Sequence, residues 1–357
     1  MGLGGVVLVI ILSIAFQIIV FSPISPHLLL FPPLLATSAN NNRLQAITKV
    51  GEGSVEGPED MAVDKKNNVM YTTSRDGWIK RMHFNNNSNE SWENWKFVGG
   101  KGLLGLTISK DGHLLVCDAE KGLLRAGEDG VTLLADEVDG SKIRFADDVV
   151  ESTDGMVYFT DASTKFELHR WFLDVLEAKP HGRVLKFDPH TGKTSVVLKD
   201  LAFANGIALS PRNDFLIVCE TWKFRCLKHW LNEDIPTEVF VENLPGGPDN
   251  INLAEDGSFW IALLELRSYG TDTIHRSKVA KHIIATFPWL CDWFVDLKKR
   301  ASVVKVGADG SISHIFNDQT GKVITFVTSA LEFDGNLYLG SLNTNFVGKL
   351  QLDRHQK

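Results

Sequence analysis

Two regimes of hydrophobic patterning divide the chain. Between Leu3 and Phe21 no residue is charged, and the first Lys, Arg, Asp or Glu is Arg43. Beyond Leu44 the apolar residues fall in short runs, punctuated by Asp, Asn and Gly. The first regime predicts a single helix that reaches most of the way across a bilayer, for which about 20 residues suffice. Pro23, Pro26, Pro32 and Pro33 end it near Ser22. The second regime predicts β-strands.

Six segments of the second regime repeat one grammar: a small or polar turn, an apolar alternation, a turn with Asp, Asn or Gly, then a second apolar strand. They open at Glu56–Asp64, Gly102–Ile108, Phe145–Val150, Phe203–Leu209, Gly247–Leu253 and Val327–Phe333. Their hairpin turns are Lys66-Asn67-Asn68, Asp111-Gly112, Asp154-Gly155, Asn213-Asp214, Asp256-Gly257 and Asp334-Gly335. Asp-Gly between apolar runs signals a hairpin, because Gly tolerates the positive φ of a tight turn. Asp111 to Asp154 and Asn213 to Asp256 span the same interval, about 43 residues, which is the size of a four-stranded propeller blade. The expectation is an all-β, six-bladed β-propeller over residues 40–357, with Leu44–Val50 completing the last blade and leaving no open sheet edge. The longer intervals put insertions in blades three and five. Glu167–Ala178 and Lys278–Leu297, the latter interrupted by Pro288, read as short amphipathic helices lying over one face of the ring. Restricting access to the channel, extra packing alone, and membrane docking through Phe287–Phe294 beside Lys298-Lys299-Arg300 are three readings of them.

Composition narrows the class. The chain has 357 residues, 44% apolar and 23% charged, with a net charge of -7. That excludes disorder, and four Cys are too few for a disulfide-dense miniprotein. One apolar stretch excludes a polytopic membrane protein, and the acidic balance argues against nucleic acid as a partner. Cys117, Cys219, Cys226 and Cys291 have no metal-binding spacing. Cys117 and Cys219 sit in apolar runs as buried strand residues, and no disulfide pairing follows from spacing.

Residues 1–39 read as a signal peptide or signal anchor. Ala36-Thr37-Ser38-Ala39 resembles a cleavage site, whereas the missing basic n-region and the length of the apolar run favour retention. Val6 breaks the myristoylation pattern. Either way the domain enters the secretory pathway (endoplasmic reticulum lumen or membrane, vacuole, or outside), with a membrane as partner if the segment stays. Asn86-Asn87-Ser88 and Asn89-Glu90-Ser91 lie in a polar loop and make Asn86 and Asn89 glycosylation candidates.

The repeat grammar places Glu59, Asp60, Asp147, Asp148, Asn205, Asp249 and Asn250 at equivalent points, just before the alternation of each innermost strand. In a propeller those points gather around one mouth of the central channel. Carboxylates packed there without a cation repel one another or take up protons. A hard divalent ion with oxygen ligands solves the problem, and Asn carbonyls fill its shell without adding charge, which points to Ca²⁺. No His or Cys joins the set, which disfavours zinc. Each residue alone reads equally as a turn cap; the shared register across four blades argues for a site.

At these residues the chain resembles the strictosidine synthase-like proteins of plants, and more distantly the paraoxonases and adipocyte plasma membrane-associated protein, over about residues 44–352. The motifs are FADDVVESTDGMVYFTDAS (Phe145–Ser163), GRVLKFDPHTG (Gly182–Gly192), FANGIALSP (Phe203–Pro211) and GGPDNINLAEDG (Gly246–Gly257). The resemblance implies a six-bladed propeller. It implies a catalytic Ca²⁺ held by Glu59, Asp147, Asn205, Asp249 and Asn250, and a second, structural Ca²⁺ at Asp60, Asp148 and a backbone carbonyl near Leu106. Asp147 stands where paraoxonases have Asn, and Leu104 where they have a His. Thr328 stands where strictosidine synthase itself has the Glu that moves protons in its amine–aldehyde condensation, and a hydroxyl does not do that work.

The function expected is a Ca²⁺-dependent hydrolase of lactones or aryl esters, acting on a small molecule in the central channel with Asp249 or Asp147 as general base. The alternatives are an amine–aldehyde condensation through another carboxylate, Glu220 or Glu265, and a non-catalytic propeller that holds a metal for stability.

Overall fold

The computed structural model describes residues 3–31, 41–84, 91–231, 234–264, 266–287, 289–290 and 300–353. Asn86, Asn89, the Ala36–Ala39 stretch, Glu265 and Cys291 lie outside them.

Each repeat folds into a four-stranded antiparallel meander, and six of these sheets form the ring. The innermost strands are Met61–Asp64, Leu103–Ile108, Ala146–Glu151, Ala204–Leu209, Gly247–Leu253 and Val327–Phe333. Each touches the next, and the sixth touches the first, so the ring is closed. The expected turns carry the positive φ that tight hairpins need, at Asn68, Gly112, Gly155, Asn213, Gly257 and Asp334 among others. A small extra hairpin, Glu137–Val138 with Ser141–Lys142, links blades two and three.

Blade six is built from both ends of the domain. Its outer strand is Thr48–Val50, paired antiparallel with Val347–Gln351. Leu44 follows the expectation of joining this blade, but from a short 3₁₀ turn, Arg43–Ala46, rather than from the strand itself.

The core is a series of wedges between blades. Ile217, Cys219, Phe259, Ile261 and Val304 fill the space between blades four and five. Trp260, Phe316, Leu337, Leu339 and Leu350 do so between five and six. Each such buried side chain contributes about 1.5–3 kcal/mol of transfer free energy. Cys219 and Cys226 face each other in register on adjacent strands of blade four and form a disulfide, while Cys117 is free and buried.

Helices cover one face. The apolar N-terminal helix α1 spans Leu3–Phe21, and α2, Trp171–Glu177, comes from the blade-three insertion. The blade-five insertion differs from expectation. It contains an additional helix, α3 (Tyr269–His275), before α4 (Lys278–Thr286). The expected interruption at Pro288 is where α4 ends, because proline disfavours helical backbone in the residue before it and offers no N–H; residues 291–299 lie outside the described ones. α3 starts on a capping box, in which Ser268 and Thr271 satisfy each other's backbone N–H. An extended strap, residues 22–31, runs from α1 across α2, α3 and α4.

Candidate functional site

The inner strands do not run as regular ladders. Register shifts interrupt pairing between Leu103 and Leu106, Ala146 and Val149, Ala204 and Ile207, Pro248 and Ile251, and Val327 and Ser329. A bulge of this kind frees residues from cross-strand pairing and re-aims their side chains. The freed pairs are Leu104-Gly105, Asp147-Asp148, Asn205-Gly206 and Asp249-Asn250; in blade six Thr328 is skipped beside Ser329. In blade one, Glu59-Asp60 occupies the same place just before Met61. Glycine at 105 and 206 is a steric requirement. A Cβ on Gly206 would stand 2.4 Å from the Asp249 carbonyl oxygen, and one on Gly105 would stand 2.5 Å from Asp148 Oδ1.

All seven candidate residues are buried. Asn250 Nδ2 donates to Glu59 Oε1 at 2.8 Å across the ring, and the Asn205 amide donates to Asp249. Four oxygens of this set have no hydrogen-bond partner among the described residues: Glu59 Oε2, Asp147 Oδ2, Asn205 Oδ1 and Asn250 Oδ1. They come from four different blades. An orphaned buried oxygen costs about 1–3 kcal/mol, so four in one ring call for a shared ligand. Among the described residues no three His, Cys, Asp or Glu side chains by themselves form a metal-holding group. The orphans are all hard oxygens, two carboxylate and two amide, and that donor set fits Ca²⁺.

Asp60 and Asp148, the residues expected at a second cation, make hydrogen bonds of their own. Asp60 Oδ1 accepts from Ser329 Oγ at 2.6 Å and Oδ2 from the Leu106 N–H at 3.1 Å. Asp148 Oδ1 accepts from the Val149 N–H at 2.7 Å and Oδ2 from the Ile207 N–H at 2.8 Å. Every oxygen of the pair thus has a donor, and the Leu106, Ile207 and Ser329 bonds tie one blade to another. Near Leu106 the backbone N–H turns toward Asp60.

Burial pushes the Glu59 carboxyl well above the usual range, and Asp60, Asp249, Asp147 and Asp148 add repulsion in that order. Asp147 is raised by burial and then by Asp249 and Asp148, with Arg75 opposing. Asp249 rises to about 8, chiefly through burial, against the Asn205 hydrogen bond and Arg75. Asp60 rises only to about 6, because Ser329 and the Leu106 N–H offset its burial. Asp148 is raised by burial and then by Asp60.

Arg75 is the cation the sequence reading missed. Its half-buried guanidinium stands near Glu59, Asp147 and Asp249 and donates to the Lys101 carbonyl. It forms one wall of a recess of about 680 Å³ beside the ring, shared with Gly57, Asn343, Thr344 and Phe346. Gly57 makes room for it, since a Cβ there would approach Arg75 Cγ to 2.8 Å. Nothing in the sequence marked Arg75, which follows the second strand of its blade rather than the first.

Thr328 donates its hydroxyl to the Glu59 carbonyl at 2.6 Å, so it holds the backbone of a candidate ligand and has no proton to move. Glu220 is a buried strand-end clamp, accepting from the Ala202 N–H and paired with Arg225.

Comparison with known proteins places this geometry. The family model described as Strictosidine synthase matches residues 147–234, and that described as Strictosidine synthase-like, N-terminal matches residues 39–82. The chain is 38% identical to protein strictosidine synthase-like 4 of Arabidopsis thaliana over 326 residues, covering 90% of this chain and 85% of that one. It is 30% identical to adipocyte plasma membrane-associated protein of Bos taurus, covering 93% and 85%. Among solved structures, a gluconolactonase from Xanthomonas campestris matches with a TM-score of 0.61 at 14% identity, covering 93% and 98%. A calcium-binding regucalcin from Agrobacterium tumefaciens matches at 0.54 and 13%, covering 85% and 94%. At such identities the two structures share the fold.

Proposed function

The chain belongs to the strictosidine synthase-like family, and from that starting point we propose that it is a Ca²⁺-dependent hydrolase of lactones or aryl esters. The observation that carries the reading is the set of four orphaned oxygens from Glu59, Asp147, Asn205 and Asn250 in a ring that also holds Asp249. These five residues would hold the ion, and gluconolactonases and a calcium-binding protein share the fold. When bound, the ion supplies a Lewis acid for the ester carbonyl.

The chain's own groups do the rest. Glu59 is fixed from two sides, by Asn250 on its side chain and by Thr328 on its carbonyl. The Asn205 amide orients Asp249. Asp147 or Asp249, through a carboxylate oxygen not turned to the ion, takes a proton as water adds to the carbonyl carbon. The ester C–O bond then breaks, the proton passes to the departing alkoxide, and the product is a hydroxy acid, or an acid and a phenol. Arg75, whose charge acts on Glu59, Asp147 and Asp249 and which also lines the neighbouring recess, meets the carboxylate formed.

One observation favours a second reading, a cation that only braces the ring. The candidate ligands are 1–5% exposed and helices cover one face. The condensation reading loses ground because Thr328 is committed to Glu59 and Glu220 to Arg225. The test is turnover of a lactone and aryl-ester panel by full-length protein with Ca²⁺ and after chelation. Turnover lost on chelation and restored by Ca²⁺ supports hydrolysis. No turnover, with thermal stability that still tracks Ca²⁺, sinks it in favour of the bracing ion.

A further inference from the structure

The segment that reads in sequence as a leader is built into the folded domain. Glu177, at the end of α2, accepts the Ser25 N–H on Oε1 at 2.7 Å and the His27 N–H on its carbonyl at 2.8 Å. The Leu29 N–H donates to the His275 carbonyl at 3.0 Å, and the fully buried Lys281 donates from Nζ to the His27 carbonyl at 2.6 Å. Ile24 is buried with Leu173, Leu176, Ile274 and Ile284. Leu29 packs on Phe145, Phe203 and Trp222, two of which lie two residues before Asp147 and Asn205. Phe31 meets Phe224 edge-on at 5.0 Å, with the Arg267 guanidinium 4.9 Å from its ring. Removing this strap would leave the buried Lys281 ammonium without the His27 carbonyl and the Glu177 carbonyl without the His27 N–H, a penalty for buried polar groups.

The opposite side of the strap is apolar too. Leu28 and Leu30 alternate with the inward Leu29 and Phe31 and stand 53% and 72% exposed. Val279, Phe287 and Trp289 are exposed beside them, flanked by exposed Arg276 and Lys278. α1 packs against α4 at this same place. It has mean hydropathy 2.7 over Gly4–Phe21, and none of that window is covered by the protein. Its length, about 28 Å at 1.5 Å per residue, approaches the roughly 30 Å of bilayer hydrocarbon.

We propose that the mature protein keeps α1 as a membrane anchor and that its helical face lies on the bilayer, with Leu28, Leu30, Val279, Phe287 and Trp289 seated at the level of the headgroups. The occupant of this surface is lipid, because α1 leaves from the middle of it and needs the same solvent, and because its rim is basic toward anionic headgroups. The end of the channel beneath Leu29, beside Asp147 and Asn205, then faces the membrane.

The experiment uses the full chain made in insect cells. N-terminal sequencing and intact mass should find the residues of α1 and the strap, with the protein staying in the membrane pellet at alkaline pH. In nanodiscs of phosphatidylcholine with brominated acyl chains, tryptophan emission should be quenched relative to unbrominated discs. Trp289→Phe should remove most of that quenching, while Leu28→Glu/Leu30→Glu reduces it several-fold with the melting temperature unchanged. A mature N-terminus at or beyond residue 36 overturns the proposal. So does quenching indifferent to both variants, or a detergent-stable dimer in which Trp289 is shielded.

Discussion

Replacing Asp249 by Asn keeps the shape of the ring and removes one of its buried charges. Without a cation, the Asp249 carboxyl titrates near 8 in the fold and near 3.8 in the unfolded chain. A carboxyl raised in the fold binds a proton there that the unfolded chain has already lost. Its contribution to stability therefore falls as pH climbs from about 4 to about 8. By proton linkage the cost approaches 5 kcal/mol at pH 8 and is roughly 4 kcal/mol larger than at pH 5. For a domain of this size that is about 10 °C in melting temperature. Melting of chelated wild-type protein across this range should fall with pH, and Asp249→Asn should make the slope shallower without abolishing it, because Glu59, Asp147 and Asp148 stay raised by their own burial. Added Ca²⁺ should offset much of the wild-type fall at high pH, since a ligand at 100 times its Kd stabilises by about 2.7 kcal/mol, and should do far less for the variant. A chelated wild type with a flat profile, or a variant that Ca²⁺ rescues as fully as wild type, would show that the ring does not confine charge as described.

Three further outcomes follow from the same geometry. Arg75→Met removes a positive charge facing Glu59, Asp147 and Asp249, so calorimetry should show Ca²⁺ binding about tenfold tighter, with KM for a lactone substrate rising. Gly206→Ala puts a methyl 2.4 Å from the Asp249 carbonyl oxygen; urea unfolding should show a loss of about 1–3 kcal/mol and a weakened Ca²⁺ response. Ser329→Ala deletes the donor to Asp60 Oδ1, which should cost about 1–3 kcal/mol while leaving Ca²⁺ affinity at the ring of Glu59, Asp147, Asn205, Asp249 and Asn250 unchanged, because Ser329 bonds none of those five.

The blades were legible because each is a local event: an Asp-Gly or Asn turn between two apolar runs needs no distant partner to be recognised. The positions of Glu59, Asp147, Asn205 and Asp249 were legible for the same reason, as one register repeated. Their division of labour was not. Whether Asp60 and Asp148 face a cation or a neighbour's N–H depends on bulges that shift the ladder by a residue, and on glycines 105 and 206 letting the strands close up. Ser329 and Arg75 act from other blades or other strands, at distances along the chain that no periodicity connects. α3 escaped notice because Tyr269–His275 has little apolar spacing and is started by its Ser268 cap. The Cys219–Cys226 bridge had a readable signal, since the two stand equidistant from the middle of the Thr221–Phe224 turn. The strap looked like a leader because its partners, Glu177, His275 and Lys281, come much later in the chain.

The pairing of Thr48–Val50 with Val347–Gln351 also sets an order of events during biosynthesis. The first strand to emerge is the last to find its place, since its partner is made roughly 300 residues later, tens of seconds at 5–20 residues per second. Throughout that time five partial sheets accumulate with raw edges, and the nascent domain is a crescent rather than a closed wheel. Held near the translocation channel by its apolar start, the waiting strand stays within reach of the finishing end. Retention of the chain by lumenal chaperones should therefore last until the final blade is released, and truncation anywhere before Val347 should leave a species that is never exported.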